Sequence, residues 1–492
     1  MPQKISDLHP SLAARLAQYD RVRDFLEGAD KLRDHDLAAK GDAATAYLPR
    51  LSPKQDEKEY AAYVRRALYY NAPGRTRDGF LGLIFGREPE MDLGAAEPLA
   101  EDADLQGTPL PEMLEEAVEE VLAVARFGWL VDRPEAPAGA SKLDAERDGI
   151  RPYLVPYQSE NIINWSLTRI GTRWKLGRVV LKETYEAEVD GTTKTLIRYR
   201  ELLLEAEGYV VRLWTQEKGQ GEYRIESTAY PLLGGKRITE IPFYFFDPRG
   251  GRPAPGKSPL VDIVEIARSH YQSSADLEHA RFSCSLPTPY FIGFSEEEAS
   301  GLSLGGLNGI VASDPAAKVG FLEYSGAGVT PLENALTQKA EMMAKLGSRM
   351  LAEDKKDAEA AETLRIRASG ESATLADIAR AVGRIASQAL TFAARWMGSD
   401  TPVEITLNTE YTAATMSPQE IAELLKAVQA GELPGADFRA RLRKVGIIEA
   451  DRTDEEIEAE LEAERAKREE TAGAALEATA KDLAEKAKGA AE

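Results

Sequence analysis

Cysteine, histidine and surplus basic charge are scarce in this chain, and each shortage removes a class of function. One cysteine, Cys284, stands among 492 residues, so neither an internal disulfide nor a cysteine-based metal cluster can form. The four histidines are His9, His35, His270 and His279. The last two share a helical pattern, but at about 100° per residue they fall on opposite faces, where a chelating pair needs a spacing of three or four. No G-x-S-x-G, H-E-x-x-H or Cys/His pairing is present, so catalytic chemistry has no carrier, and neither a cofactor nor a metal is expected. Lys and Arg number 61 against 82 Asp and Glu, a net charge of −21. That balance argues against a basic nucleic-acid grip and against attraction to anionic membranes. No run of about 18 apolar residues occurs, and MPQKISDLHP lacks an apolar signal core, which points to synthesis and use in a reducing cytoplasm.

What is present is a chain of ordinary globular composition, 43% hydrophobic and 29% charged, long enough for two or more domains. One motif stands out. GRPAPGKS (251–258) spells the G-x-x-x-x-G-K-[ST] of a phosphate-binding loop, between a strand pattern (IPFYFFDP, 241–248) and a helix pattern (SPLVDIVEIARSHYQ, 258–272). Such a loop cradles phosphate with successive backbone N–H groups, and Pro253 and Pro255 have none. The magnesium-holding Asp at the end of a later strand is also missing: FGWLVD (127–132) lies upstream and IVASD (310–314) matches poorly. The segment reads instead as a proline-stiffened connector, with Ser258 as N-cap and Pro259 at the first helical position.

Up to about residue 135 the pattern is mostly helical. EYAAYVRRALYYN (59–71) sets Tyr60, Tyr63, Val64, Ala67, Leu68 and Tyr70 at helical spacings, and EMLEEAVEEVLAVARFG (112–128) forms a further helix. From 150 to 250 the period falls to two, with Asp-Gly and Gly-Gly turns, which predicts an antiparallel β-rich section within an α+β fold. Beyond Ser258 two helices flank a small β insert. The first, to about Ser283, carries the stripe Leu260, Val264, Ala267, Tyr271 and Ala275. The second opens at Thr330-Pro331-Leu332-Glu333, which has the form of a capping box, and carries Leu332, Leu336, Met343, Leu346 and Met350. Neither stripe has an evident partner in the sequence. A charged stretch, AEDKKDAEAAETLRIRASGES (352–372), precedes a long helix over 372–398 whose stripe is Leu375, Ile378, Val382, Ile385, Ala389, Ala393 and Trp396. VEITLN (403–408) is a strand, and 417–434 and 436–447 are compact helices. Residues 449–470 hold eleven acids against four bases, and an Ala/Lys/Glu-rich tail closes the chain.

This order of parts resembles the portal proteins of tailed bacteriophages. YYNAPGRTRDGFLGLIF (69–85), ARFGWLVDRP (125–134), RPYLVPYQSENIINW (151–165), HYQSSADLEHARFSCSLPTPYFIG (270–293) and MAKLGSRML (343–351) are similar to a portal subfamily known by a domain-of-unknown-function label. The resemblance implies a portal fold: a wing over 1–257, a first stem helix over 258–284, a clip over 285–329 and a second stem helix over 330–351. A tunnel loop (352–372), a long helix with a return strand of the wing (373–416), a helical crown (417–470) and a tail (471–492) would follow. It also implies a ring of about twelve subunits at one capsid vertex of the virion, through which double-stranded DNA passes without sequence specificity. Its implied partners are the terminase large subunit, head–tail adaptor or tail proteins, and the major capsid and scaffold proteins, with no membrane. An adaptor or scaffold of the virion is the nearest alternative, and a phosphate-loop enzyme a more distant one.

An acidic wall suits a conduit, because tight counterion-releasing contacts would add friction to moving DNA. The cations that would centre the duplex are Lys355, Lys356, Arg365 and Arg367 in the charged stretch, with Lys345 and Arg349 one helical turn apart before it. A solvated outer surface is the alternative for all six.

Overall fold

A computed structural model describes residues 4–134, 149–189, 191–217, 219–285, 288–295, 313–322, 328–348, 358–409 and 434–444, with a few isolated positions besides. The chain forms two compact units, Met1–Thr409 and Glu410–Glu492, and its architecture is mixed α and β, as an α+β fold requires.

The first unit begins with helices α1 (Pro10–Glu27), α2 (Ala29–Ala39), α3 (Glu57–Arg66) and α4 (Ala72–Ile84). Local chemistry sets their ends. His9 caps α1 by accepting the Ser11 N–H at 3.2 Å, with Pro10 at the first helical position. Asp56 and Glu59 form a capping box at α3. The helix expected over 59–71 stops at Arg66, because Asn71 and Pro73 already start α4; Leu68 and Tyr70 are left exposed. Helix α5 (Leu110–Val124) ends at Ala125 in the left-handed conformation, earlier than the expected Gly128, and the chain enters strand β2 (Phe127–Asp132).

Strand β2 is free of polar side chains up to its last residue, Asp132, because it is central and buried, between β3 (Tyr153–Gln158) and β11 (Phe243–Phe246), both antiparallel to it. The period-two section forms a five-stranded antiparallel meander: β4 (Ile162–Ile170), β5 (Arg173–Val189), β6 (Thr192–Glu205), β7 (Gly208–Glu217) and β8 (Gln220–Ala229). Short strands β9 (Leu232–Leu233) and β10 (Lys236–Arg237) pair beside it in sequence.

Helices α6 (Val261–Ser285) and α7 (Val329–Met343) enclose the antiparallel ribbon β12 (Thr288–Ile292) and β13 (Lys318–Leu322). Three expectations are corrected here. Helix α6 begins three residues after Ser258, whose hydroxyl accepts the Leu260 N–H at 3.1 Å; Pro259 sits in that turn and not in the helix. Helix α7 begins at Val329, so Thr330 and Glu333 lie inside it and no side chain caps it. Finally, α8 runs from Ala358 to Trp396, so the range 352–372 is helical from Ala358 onward; residues 352–357 lie outside the described residues. Ala, Glu, Leu and Arg hold a helix by backbone propensity even where no apolar stripe marks one.

Helix α8 spans about 58 Å at 1.5 Å per residue over its 39 residues. Leu375, Ile378, Val382, Ile385, Ala389 and Ala393 are buried, and Trp396 donates its indole N–H to the Leu232 carbonyl at 2.9 Å. Strand β14 (Glu404–Thr406) pairs with β1 (Glu90–Asp92) and lies so close to α8 that a Cβ on Gly383 would stand 2.8 Å from the Ile405 carbonyl oxygen. The Ser387 and Thr391 hydroxyls accept the Ile405 and Val403 N–H groups, and so satisfy an edge that has no further strand among the described residues.

In the second unit the described helix is α9 (Gly435–Lys444), expected over 436–447. The helix expected over 417–434 lies almost wholly outside the described residues.

Candidate functional site

The helical hairpin and the connector that launches it carry the most specific geometry. The connector GRPAPGKS joins β11 to α6, and its polar groups are consumed inside the chain. The buried Asp247 carboxylate accepts the N–H groups of Arg249, at 2.7 Å, and of Arg252. Arg126 Nε donates to the Pro253 carbonyl at 2.8 Å, and the Tyr19 hydroxyl donates to the Gly256 carbonyl at 2.9 Å. Lys257 Nζ lies 2.9 Å from both Asp262 oxygens. Gly251 takes φ +94° and would set a Cβ 2.9 Å from Ile385, so the first glycine answers to close packing on α8. The Asp247 carboxylate thus occupies the Arg252 N–H of the motif and sets a negative charge beside it. In this structure the segment connects β11 to α6.

Arg126 is the centre of that arrangement and was not singled out in the sequence. It is fully buried, donates from Nη1 to the Ser159 and Ile162 carbonyls at 3.0 and 3.2 Å, and lies 4.3 Å from the Trp165 ring. Burial pulls its pKa down to about 9, an effect that Tyr19 and Glu160 oppose. His9 stacks on the other partner of this group, Trp165, at 3.9 Å, and burial together with Arg126 holds it below the ordinary histidine value.

From the connector, α6 enters the core. Leu260, Val264, Ala267, Tyr271 and Ala275 are all buried against α1, α3 and α4 of the same chain. The stripe that lacks an evident partner in the sequence is therefore covered within the chain. Tyr63 donates its hydroxyl to Asp276 at 2.7 Å, and Gln272 donates to the Tyr47 carbonyl at 2.8 Å.

Helix α7 returns antiparallel. Lys339 Nζ donates to the Ser269 carbonyl at 2.9 Å and the Ser273 hydroxyl at 2.6 Å, while Arg281 pairs with Glu333 at 2.8 Å nearer the far end. Burial lowers the Lys339 pKa, an effect that Asp276 opposes. A groove of about 470 Å³ runs beside the pair, with Leu68, Tyr70, Leu277 and Leu336 in its wall. At the far end the burial fails: Phe282 is 46% exposed under the Arg66 guanidinium. Met342 and Leu346 are as open but lie at the other end of α7, beyond Lys339. The ribbon exposes Tyr290 and Ile292 on one face and Val319 and Phe321 on the other. A two-stranded ribbon with apolar side chains on both faces is not stable alone in water.

Of the six candidate DNA-channel cations, Lys345 alone has a described side chain. Lys345 is exposed on a π-helical turn (Ala344–Ser348) that follows α7. Arg349, Lys355 and Lys356 lie outside the described residues, and Arg365 and Arg367 lie on α8 in the stretch whose side chains are not described. Cys284 is on the last turn of α6, its side chain likewise not described. Among the described residues there is no cluster of three or more His, Cys, Asp or Glu fit to hold a metal ion, and no helix is long and apolar enough to cross a membrane.

No curated protein matches the chain. Residues 259–397, the helical hairpin through α8, match the family model described as a domain of unknown function (DUF4055). Among solved structures, a chain from the neck of an empty GTA particle computed with C6 symmetry is similar at 12% identity and TM-score 0.38, covering 77% of this chain and 92% of its own length. A chain from the virion of a native gene transfer agent (GTA) particle is similar at 14% identity and TM-score 0.39, covering 84% and 98%.

Proposed function

We propose that this chain is the portal protein of a tailed-bacteriophage particle, a ring of about twelve copies at one capsid vertex through which double-stranded DNA is packaged and ejected. One observation carries the reading. An antiparallel helical hairpin with an apolar ribbon at its tip is inserted between a β-rich unit and a helix of about 58 Å, and toward the ribbon it exposes Phe282, Tyr290, Ile292, Val319 and Phe321. In a ring those surfaces pack against the next copy. The connector, anchored through Asp247, Arg126 and Tyr19, is then a mechanical joint, and the nucleotide chemistry of packaging belongs to a separate terminase that docks on the ring. Head–tail adaptor or tail proteins and the capsid shell are the other partners of such a ring, located in the virion. Lys345, Arg349, Lys355, Lys356, Arg365 and Arg367 are the cations assigned to the channel.

Electron microscopy of the purified full-length chain tests the reading: closed rings of about twelve subunits with a central hole are expected. A chain that stays monomeric at micromolar concentration under every salt condition overturns it. The channel assignment is tested by an all-Ala variant of Lys355, Lys356, Arg365 and Arg367, expected to assemble normally and to alter packaging or retention of DNA. Normal packaging of a full genome at the wild-type rate overturns the assignment.

A further inference from the structure

Charge in the first unit is segregated along the chain. Between Glu160 and Glu183 there is no acidic residue, and five basic ones: Arg169, Arg173, Lys175, Arg178 and Lys182. Between Glu88 and Ala125 there are twelve acids and no Lys or Arg. The basic stretch is the β4–β5 hairpin. At its tip Arg169 pairs across the ladder with Trp174, and Leu167 with Leu176, on one face; Ile170 with Arg173 lie on the other. Trp174 is 67% exposed, with Leu167 and Ile170 near half exposed. The tip thus carries Trp174 and Leu167 beside Arg169 on one face and Ile170 beside Arg173 on the other, the Trp, Arg and aliphatic mixture typical of protein-docking surfaces. The aliphatic members give nothing for a nucleobase to stack on.

The acidic stretch offers the opposite pattern. Glu88, Glu90, Asp92, Glu97, Glu101, Glu112 and Glu115 are exposed, and among them the turn after Asp104 projects Leu105, 38% exposed. Asp102, Glu119 and Glu120 are paired within the chain with Arg151, Arg77 and Arg23, whereas the exposed Glu97, Glu101, Glu112 and Glu115 make no ion pair among the described residues. A copy of this chain therefore carries both halves of a complementary contact on different parts of its surface. Contacts of that head-to-tail kind close into rings when the rotation allows.

We infer that the tip of the β4–β5 hairpin, with Trp174, Leu167, Arg169 and Arg173, docks on the acidic 88–115 surface of a neighbouring copy around Leu105. This rests on the ring reading and adds to it a second contact, independent of the helical hairpin. Opposite charges at the rim steer association and fix which surfaces meet, so assembly through this contact weakens as salt screens it.

Reciprocal charge exchange in the full chain tests it. Wild type, Arg169→Glu/Arg173→Glu, Glu97→Arg/Glu101→Arg and the fourfold combination are compared by sedimentation velocity and negative-stain microscopy, with thermal melts as a control for folding. All four positions are exposed, so the melts should coincide. Each double variant should raise the concentration at which rings form by at least about tenfold, and the fourfold variant should restore it, since the opposed pairs are re-formed. Rings that form as in wild type in both double variants overturn the inference and leave the ring reading standing. Loss of affinity for single-stranded DNA in that case makes the hairpin a nucleic-acid contact instead. Impaired double variants that the fourfold combination fails to restore show that the hairpin has another acidic partner, which also overturns it. A wild type without rings overturns the ring reading, and this contact with it.

Discussion

The two ends of the helical hairpin belong to different environments although one helix runs through both. Near the connector, Val264, Ala267, Tyr271 and Ala275 are at 1% exposure or less and are held by side chains more than 200 positions earlier in the chain, such as Tyr63 bonded to Asp276 across 213 positions. Toward the ribbon, Phe282 and Tyr290 are about half exposed, and the Arg281–Glu333 pair lies at the surface. The same residue types therefore do different things by position: the near end fixes the direction of the hairpin, and the far end offers apolar area to something outside the chain. Stability and assembly should separate along α6.

That separation can be broken or sharpened by substitution. The largest effect is expected at the near end, where Val264→Ala or Leu260→Ala empties a closed core and should lower stability by about 2–4 kcal/mol in chemical denaturation. Arg126→Met should cost about 2–3 kcal/mol, because three carbonyls lose their donor and the connector loses its anchor. Glu116→Gln has a smaller effect that depends on pH. Burial raises its carboxyl pKa, so the folded state holds its proton longer than the unfolded one, and wild-type stability is lost as pH rises from about 4.5 to about 7. The variant should gain about 1–2 kcal/mol over wild type at pH 8 and nothing at pH 4. Tyr271→Phe should be neutral or stabilising by up to about 1 kcal/mol, since the buried hydroxyl finds no partner among the described residues. Phe282→Ser at the far end should leave the melting curve of the isolated chain within about 0.5 kcal/mol and weaken ring formation. A large loss of monomer stability at Phe282 would erase the contrast.

The sequence was most legible where one period dominates. The meander announces itself by alternation and tight turns, and α8 by a stripe that six of its seven members honour with burial. Legibility failed where propensity and pattern disagree. AEAAETLRIRASGES lacks an apolar face and so reads as loop, yet its backbone preference is helical. EYAAYVRRALYYN keeps helical spacing past Arg66, and only the cap of the following helix ends it. The stripe of α6 was visible, but what covers it was not, because its neighbours are distant in sequence. Arg126 gave no signal at all: a lone arginine beside an apolar strand looks like a surface residue until the carbonyls around it are known.

The pairing of β1 with β14 joins Glu90 to Thr406. Each meander strand needs only the strand before it, so that sheet can assemble as it leaves the ribosome, whereas the β1 edge waits until nearly the whole first unit has been synthesised. In the interval the apolar ribbon and hairpin tip are already exposed to other nascent copies. The order of synthesis thus favours closing each subunit late, and a host that slows translation after residue 322 should yield more off-pathway aggregate than one that slows it before residue 258.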